Sequence, residues 1–451
     1  MIDTAALRKK ILKLAVTGKI SEQMECDTPV STHLNAYVPT QLDIELDEIP
    51  DAWKYCKFDD VIINRDSERI PVSVADRKKL DKIYDYYGAS GVIDKVDRYL
   101  FDKDLLLIGE DGANLLSRST PIAFIARGKY WVNNHAHVLD ATEHILLEYA
   151  ELIINAMSLV PYVTGAAQPK LSQGMMNKIA LPVAPIEEQK RIVDTVKAAF
   201  DMLDQIDELQ KQYSSDLEIL KSKIIDAGIQ GKLTEQLPED GTAEELLEQI
   251  AEEKKQLVEA KKIKAAKPLP EITEDEIPFE IPDNWKWVRW GDLSQSIQYG
   301  YNAPAKLEGR IKMVRISDIQ DGKVLWDIVP YCNIDENEIE SYLLHENDIL
   351  FARTGGTVGK SYIVTEIPEE SVFAGYLIRT SYSSKLCARY MKYFMESKLY
   401  WRQLQNGTIA TAQPNCNGQT LSKMILPLPP YAEQVRIVER INAAMVAVEN
   451  M

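Results

Sequence analysis

Three stretches of this sequence recur, and they recur in the same order. "LRKKILKLAVTGKISEQ" (7–23) matches "LKSKIIDAGIQGKLTEQ" (220–236), "IPDAWKYCKFDDVI" (49–62) matches "IPDNWKWVRWGDLS" (281–294), and "QPKLSQGMMNKIALPVAPIEEQKRIV" (168–193) matches "QPNCNGQTLSKMILPLPPYAEQVRIV" (413–438). The offsets are 213, 232 and 245 residues. A duplicated unit constrains the fold strongly, because any architecture adopted by one half has to serve the other. Each unit runs from a tryptophan through a mixed block to a Gln-Pro loop, an "LP…P" stretch and a helix opening with Glu-Gln.

That helix is long. After Ile192, apolar residues recur at Val196, Ala199, Leu203, Ile206, Tyr213, Leu217, Leu220, Ile224 and Ala227, with Gln210 the polar member of the seam. Spacings of four and three over about five heptads predict a coiled coil. Pro185 suits its start and Gly231 its C-cap. Residues 186–231 would span roughly 69 Å at the α-helical rise. The alternative is an amphipathic helix lying on a globular core. At the termini, Leu7, Ile11 and Leu14 repeat Leu220, Ile224 and Ala227, while Ile437, Ile441, Ala444, Val448 and Met451 repeat the seam from Ile192 to Ile206. The two terminal helices are therefore expected to lie nearly end to end, imitating the central helix and packing antiparallel to it about a pseudo-two-fold axis. One heptad, corresponding to 207–213, is missing between them.

The net charge is −17, but the acid is concentrated in connectors. Residues 43–51 carry five acids and no base, and 233–285 carry 15 acids and six bases. The blocks between are nearly balanced and can present local basic faces to a polyanion. "PEDGTAEELLEQIAEEKKQLVEAKKIKAAK" (238–267) reads as a charged helix after a turn, and "PLPEITEDEIPFEIPDNW" as an extended, proline-spaced arm. The first unit has no comparable helix. No apolar run approaches a membrane span, and the N-terminus is amphipathic. Cys26, Cys56, Cys332, Cys387 and Cys416 are scattered without a CxxC pair, which suits a reduced, cytoplasmic setting. His135 and His137 alternate on an expected strand, and structural or surface roles suit them better than metal binding.

The two blocks mix short strands ("DLLLIG", "KYWVNNHAHVL", "KMVRISDI", "DILFAR", "AGYLIRT") with one helical run each, 144–157 and 388–405, giving an α+β class. "ILFARTGGTVGKSY" (349–362) is nearly a phosphate-binding loop. Its first required glycine is Thr354, however, and "YIVTEI" after it reads as a strand instead of the required helix. Pairing Asp348 with Asp104 and Gly356 with Gly112 puts Leu115 and Leu116 of the first unit where Gly359 and Lys360 stand. The shared element is then a strand and a glycine turn, with variable side chains. No HExxH, GxSxG, methyltransferase or clustered metal-ligand motif appears, so a binding module is favoured over an enzyme.

Candidate reading surfaces are the loops "YYGASGVID" (86–94) and "QYGYNAP" (298–304), with Tyr87, Ser90, Tyr299, Tyr301 and Asn302. Donors near glycine turns or strand ends are Arg118, Asn133, Asn134, Arg315, Arg353, Thr354, Thr357, Lys360 and Arg379. Arginine suits guanine edges, amides suit adenine, and lysine neutralises phosphate. Each taken singly could equally be a turn residue or an ion-pair partner.

Together, "LKSKIIDAGIQGKLTEQ", "GTAEELLEQIAEEKKQL", "KPLPEITEDEIPFEIPDNWKWVRWGDL", "LPLPPYAEQVRIV" and "LPVAPIEEQKRIV" resemble the specificity subunit of type I restriction-modification systems over nearly the whole chain. "YGASGVID", "WVNNHAHVL" and "RTGGTVGKSYIV" look like pieces of that family's target-recognition domains. The resemblance implies two target-recognition domains separated by two long antiparallel coiled-coil helices, with an internal pseudo-two-fold repeat. It divides the chain into an N-terminal part of the distal conserved helix (1–23), target-recognition domain 1 (24–185), the central coiled-coil helix and charged connector helix (186–267), target-recognition domain 2 (268–430) and a C-terminal part of the distal helix (431–451). It implies a non-catalytic subunit that reads a bipartite, asymmetric double-stranded DNA target with an unread spacer. Half-sites would lie on the order of one helical turn, about 34 Å, apart. The implied partners are two modification (methyltransferase) subunits, which bind S-adenosylmethionine, and restriction/translocase subunits, which use ATP and Mg; no cofactor is implied in this chain. The other reading of the residues is a coiled-coil scaffold whose globular blocks bind protein rather than DNA.

Overall fold

A computed structural model describes the chain apart from residues 31–33, 40, 41, 43, 166, 167, 321, 355, 356 and 409–416. The chain divides into two compact units, Met1–Gln212 and Tyr213–Met451. No described helix is long and apolar enough to cross a membrane.

In the first unit, the N-terminal helix Thr4–Val16 is capped by the Asp3 side chain, which accepts from the Ala6 amide. It runs antiparallel to the first part of the central helix Ile186–Ile229. Thr4 Oγ1 donates to Asp207 and Arg8 pairs with Asp204, while further along Ser21 reaches Glu188. Between these polar points Ala15, Val16, Ile192 and Val196 are buried together. The globular block has two four-stranded sheets. One has the order Ile62–Asn64, Ala136–Ala141, Leu105–Gly109, Ala123–Ala126; the other has Gly91–Val96, Tyr84–Gly88, Lys129–Val132, Phe101–Asp102. Helix Leu147–Ala156 buries Tyr149, Ala150, Ile153 and Ile154 in the same core as the first sheet.

The second unit repeats the plan. Its four-stranded sheet has the order Ser294–Tyr299, Leu377–Tyr382, Ile349–Ala352, Ser361–Ile363. In both units the two inner strands pair antiparallel, and a parallel pair lies in a second sheet. The C-terminal helix Tyr431–Glu449 packs antiparallel on the end of the central helix. Ile437 and Ile441 lie so close to Gly228 that a Cβ there would stand 2.7 Å from the Ile441 side chain. Ala15 holds the equivalent, fully buried place in the first unit.

The repeated sequence motifs converge on one side-chain cluster in each unit. The buried carboxylate of Glu188 accepts from Trp53 Nε1 (2.8 Å), Ser21 Oγ (2.7 Å) and Gln23 Nε2 (2.6 Å). Glu433 accepts from Trp285 Nε1 (2.8 Å), Thr234 Oγ1 (2.9 Å) and Gln236 Nε2 (2.9 Å). A buried charge is tolerated only when it is hydrogen-bonded in this way. The neighbouring glutamine explains the second half of the Glu-Gln motif, because an amide both accepts and donates. Gln189 takes the Leu146 amide and gives to the Ala184 carbonyl; Gln434 takes the Cys387 amide and gives to the Pro429 carbonyl. Arg191 closes on Asp27 and Arg436 on Asp240, and each guanidinium holds its partner's carboxyl below the usual range. Gly18 and Gly231 turn the chain at φ +67° and +72° directly under these tryptophans. Offsets of 213, 232 and 245 thus mark the three sides of one joint.

Several expectations change. The central helix is 44 residues long, about 66 Å. Its seam is covered in two stretches: Ile192, Val196 and Leu203 are buried in the first unit, and Ile225, Gly228 and Ile229 in the second, while Tyr213 and Leu220 are exposed. The buried positions of the second stretch are displaced by one residue from the heptad extrapolation, the local drift of a 3.6-residue helix against a 3.5-residue repeat. The run 388–405 is two helices, Ala388–Phe394 and Lys398–Thr408, because the buried Ser397 hydroxyl donates to the Phe394 carbonyl and accepts from the Tyr400 amide. "KYWVNNHAHVL" is two strands in different sheets, turned at Asn133-Asn134. His135 therefore sits on the turn, with Nδ1 2.8 Å from Asp111, while His137 is buried between Asp66 and the Leu171 carbonyl. The charged connector is the helix Ala243–Glu259, closed by a Thr242/Glu245 capping box. Glu253 fixes it to the block by accepting from Gln295 and Ser383.

Candidate nucleic-acid interface

The near phosphate loop closes as a β-hairpin. Ile349, Leu350 and Phe351 pair antiparallel with Ile363, Tyr362 and Ser361. The Ala352 amide donates to the Lys360 carbonyl, the Gly359 amide donates back to the Ala352 carbonyl, and Thr357 accepts from the Lys360 amide. Tyr400 Oη holds the Gly359 carbonyl from below at 2.9 Å. A strand, Ser361–Ile363, follows the turn where a phosphate site needs the N-terminus of a helix. Lys360 is exposed at the base of this hairpin, and the glycines 355 and 356 lie outside the described residues.

Beside it the second unit gathers an aromatic and guanidinium cluster. The Arg353 guanidinium carbon lies 4.5 Å from the centre of the Tyr299 ring. Tyr299 Oη accepts from the Gly418 amide at 3.1 Å, and the Arg353 amide donates to the Tyr376 carbonyl. Tyr376 is 67% exposed. Tyr301 bridges to Ala374 and meets Tyr342 edge-on at 5.2 Å, leaving Asn302 exposed next to it. Thr354 is half-buried and follows Arg353 directly.

In the first unit the hairpin tip 88–91 folds over Gly109. The Ala89 carbonyl oxygen lies 2.7 Å from where a Cβ on Gly109 would be, a separation that a side chain could not share. Asn133 donates its amide to the Tyr87 carbonyl, and Glu110 donates its amide to the His135 carbonyl. Ser90, Asn134 and His135 are exposed around this tip. Tyr87 stacks on Phe124 at 5.8 Å, and burial, aided by Asp85, pushes its phenol up.

Backbone register aligns the two surfaces. Gly109 pairs with Ala136 as Ala352 pairs with Leu377, and the next amide in each strand donates to the residue before that partner. Arg353 therefore corresponds to Glu110, one residue later than the Asp104–Asp348 pairing expected from sequence. Glu110 carries the opposite charge and is held by Arg69 at 2.8 Å and Lys170 at 3.0 Å.

The remaining sequence candidates are committed within the fold. Arg118 donates to the Ile154 and Met157 carbonyls at the end of helix Leu147–Ala156. Arg315 is chelated by the buried Asp318. Arg379 is buried and donates to the Leu343 and Ser341 carbonyls and to Gln298 Oε1. It also lies 3.4 Å from Asp348, whose carboxyl burial pushes up against the pull of that guanidinium. Asn133 is buried and accepts from the His135 amide. These commitments, burial for Arg379 and Asn133 and ion-pair or carbonyl partners for Arg118 and Arg315, were not visible in the pattern that selected them, since an inward residue has the same neighbours in sequence as an outward one. Two exposed groups of the same chemistry were passed over. Tyr376, in "AGYLIRT", carries the glycine–aromatic signature of the selected loops. Arg98, in the bend after strand Gly91–Val96, lies 5.6 Å over the ring of Trp131 on strand Lys129–Val132.

The chain is thus a duplicated α+β protein, built on a long helix and presenting two topologically equal surfaces with different side chains. The family model described as type I restriction modification DNA specificity domain matches twice, at residues 50–214 and 282–446. The chain belongs to that family, whose specificity subunits are non-catalytic. It is 29% identical to the Type I restriction enzyme EcoAI specificity subunit of Escherichia coli over 232 residues, half of this chain and 39% of that one. It is 23% identical to the Escherichia coli EcoEI specificity subunit across 97% of this chain and 88% of that one. A solved chain described under complex assembly and conformational transition of the type I R-M system shares the fold, with a TM-score of 0.58 at 16% identity over 90% of this chain and 93% of the other.

Proposed function

We propose that this chain is the DNA-reading subunit of a type I restriction-modification complex, each globular block reading one half of a bipartite, asymmetric duplex target. The target-recognition domains are 24–185 and 268–430, with 1–23 and 431–451 as parts of the distal helix. The long helices dock two modification subunits, which bring S-adenosylmethionine. Restriction/translocase subunits add ATP and Mg, and the chain needs no cofactor of its own. The setting is cytoplasmic.

The observation that carries this reading is the contrast between joint and tip. Trp–Glu–Gln joints are repeated nearly atom for atom, whereas the tips they support differ in charge and shape, Glu110 against Arg353. A scaffold for two copies of one partner would keep both tips alike. Different side chains on equal frames are what an asymmetric sequence requires. The test is binding of duplex DNA by the chain assembled with its modification subunit. Expected are tighter binding to target than to random duplex and affinity that falls steeply with salt. Equal affinity for both duplexes rejects sequence reading, and absence of a DNA footprint leaves the protein-binding scaffold.

A further inference from the structure

We infer that Arg353, held over the Tyr299 ring, reads a guanine in the half-site of the second unit. This deepens the DNA-reading proposal and rests on it. The four candidate arginines differ in what their guanidinium groups do. Arg118, Arg315 and Arg379 spend their guanidinium donors on carbonyls and carboxylates of the fold. Among the described residues Arg353 spends none: its Nε is buried without an acceptor, and its terminal nitrogens are not among the buried unpaired atoms.

The Tyr299 ring lies under the Arg353 guanidinium and limits where it can go. The ring centre lies 4.5 Å from the Arg353 guanidinium carbon, and the Tyr299 hydroxyl is tied to the Gly418 amide, so the platform cannot swing away freely. Stacking of this kind orients a cation and removes much of the rotamer freedom that binding would otherwise cost. The backbone of Arg353 is fixed as well, by the hydrogen bond its amide donates to the Tyr376 carbonyl just past the end of an inner strand. The result is a preoriented planar fork at the rim of the block. Such a fork matches two acceptors side by side, the O6 and N7 edge of guanine, better than the single acceptors of thymine or the mixed edge of adenine. A phosphate also accepts a fork, and the test separates the two. The equivalent position in the first unit, Glu110, is an acceptor already held by Arg69 and Lys170, so this mode of reading belongs to the second half alone.

The full chain is co-expressed with its modification subunit in a host lacking other adenine methylation, and methylated adenines are mapped across the genome. The wild-type motif should contain a guanine in one half at which Arg353→Gln accepts other bases, with discrimination there falling about tenfold or more and the other half unchanged. Tyr299→Leu should relax the same position more weakly. If Arg353→Gln abolishes methylation through misfolding, Arg353→Lys, which keeps the charge but not the fork, should relax that guanine. An unchanged guanine in methylating Arg353→Gln or Arg353→Lys complexes overturns the inference. So does uniformly weaker methylation with an unaltered motif, which marks a phosphate contact. If the wild-type chain directs methylation to no defined sequence, the DNA-reading proposal itself fails.

Discussion

Glu110 and Arg353 stand at the same register of two equivalent strands, and they carry opposite charges. Each donates its backbone amide to an exposed residue, His135 or Tyr376, on the neighbouring strand end. The frame is conserved between the units and the chemistry is exchanged at its edge.

Glu110 is largely buried, and burial alone would raise its carboxyl; Arg69 and Lys170 outweigh that and hold it below its ordinary value. A folded carboxyl pKa below the unfolded one adds stability above the unfolded pKa of about 4.3, and that stability is lost as pH falls through the folded value. Glu110→Gln should therefore lower first-unit stability by about 1–2 kcal/mol at pH 7 and flatten its acid dependence. Urea unfolding at pH 7 and at pH 3 checks this.

Removing a buried carboxylate from either joint should cost more. Trp53, Ser21 and Gln23 would lose their shared acceptor in Glu188→Ala, as would Trp285, Thr234 and Gln236 in Glu433→Ala. Stranded buried donors and the lost packing predict about 3 kcal/mol for each. Hydrogen exchange should place the loss in the unit that carries the substitution.

The Arg191–Asp27 and Arg436–Asp240 pairs predict acid sensitivity of the same sign. Hydrogen bonds from the arginines depress both carboxyls, so the pairs stabilise above about pH 4 and fail as pH falls further. Asp27→Asn and Asp240→Asn should each shift the acid unfolding midpoint little, while lowering stability at pH 7. Circular dichroism across pH 2–7 reads both.

The central helix predicts a contrast along its own seam. Leu203 is 5% exposed and Leu220 37% exposed. Leu203→Ala should cost about 2–5 kcal/mol, and Leu220→Ala less than about 1 kcal/mol, in chemical denaturation of the isolated chain. If modification subunits cover the exposed stretch, Leu220→Ala should instead weaken assembly with them.

The repeat was legible in the sequence because its joint is built from local signatures: a tryptophan, a Glu-Gln helix start, a Thr/Ser-x-Gln tail. The tryptophan, glutamate and tail residues meet in one cluster in each unit, so their spacing survives duplication. The hairpin at 349–363 was legible too, since β-branched and aromatic residues follow the turn. What stayed hidden depended on long-range burial. Arg379 lies within strand Leu377–Tyr382 and Arg353 directly after strand Ile349–Ala352, yet Arg379 is aimed into carbonyls more than 30 residues away and Arg353 lies over the Tyr299 ring. The break at Ser397 was hidden for the same reason, because a lone serine in a helical run gives no sign that its hydroxyl is buried. The register shift that matches Arg353 with Glu110 is a matter of strand pairing, which a residue-by-residue alignment on Asp104 and Asp348 misses by one.

The most direct test is a map of methylated adenines in a genome carrying this chain with its modification subunit, beside an Asn134→Ala variant in the first unit and Arg353→Gln in the second. Expected is a split, asymmetric motif in which the first variant alters one half only and the second variant the other half only. A contiguous motif, variants that alter the same bases, or methylation unrelated to sequence would contradict it.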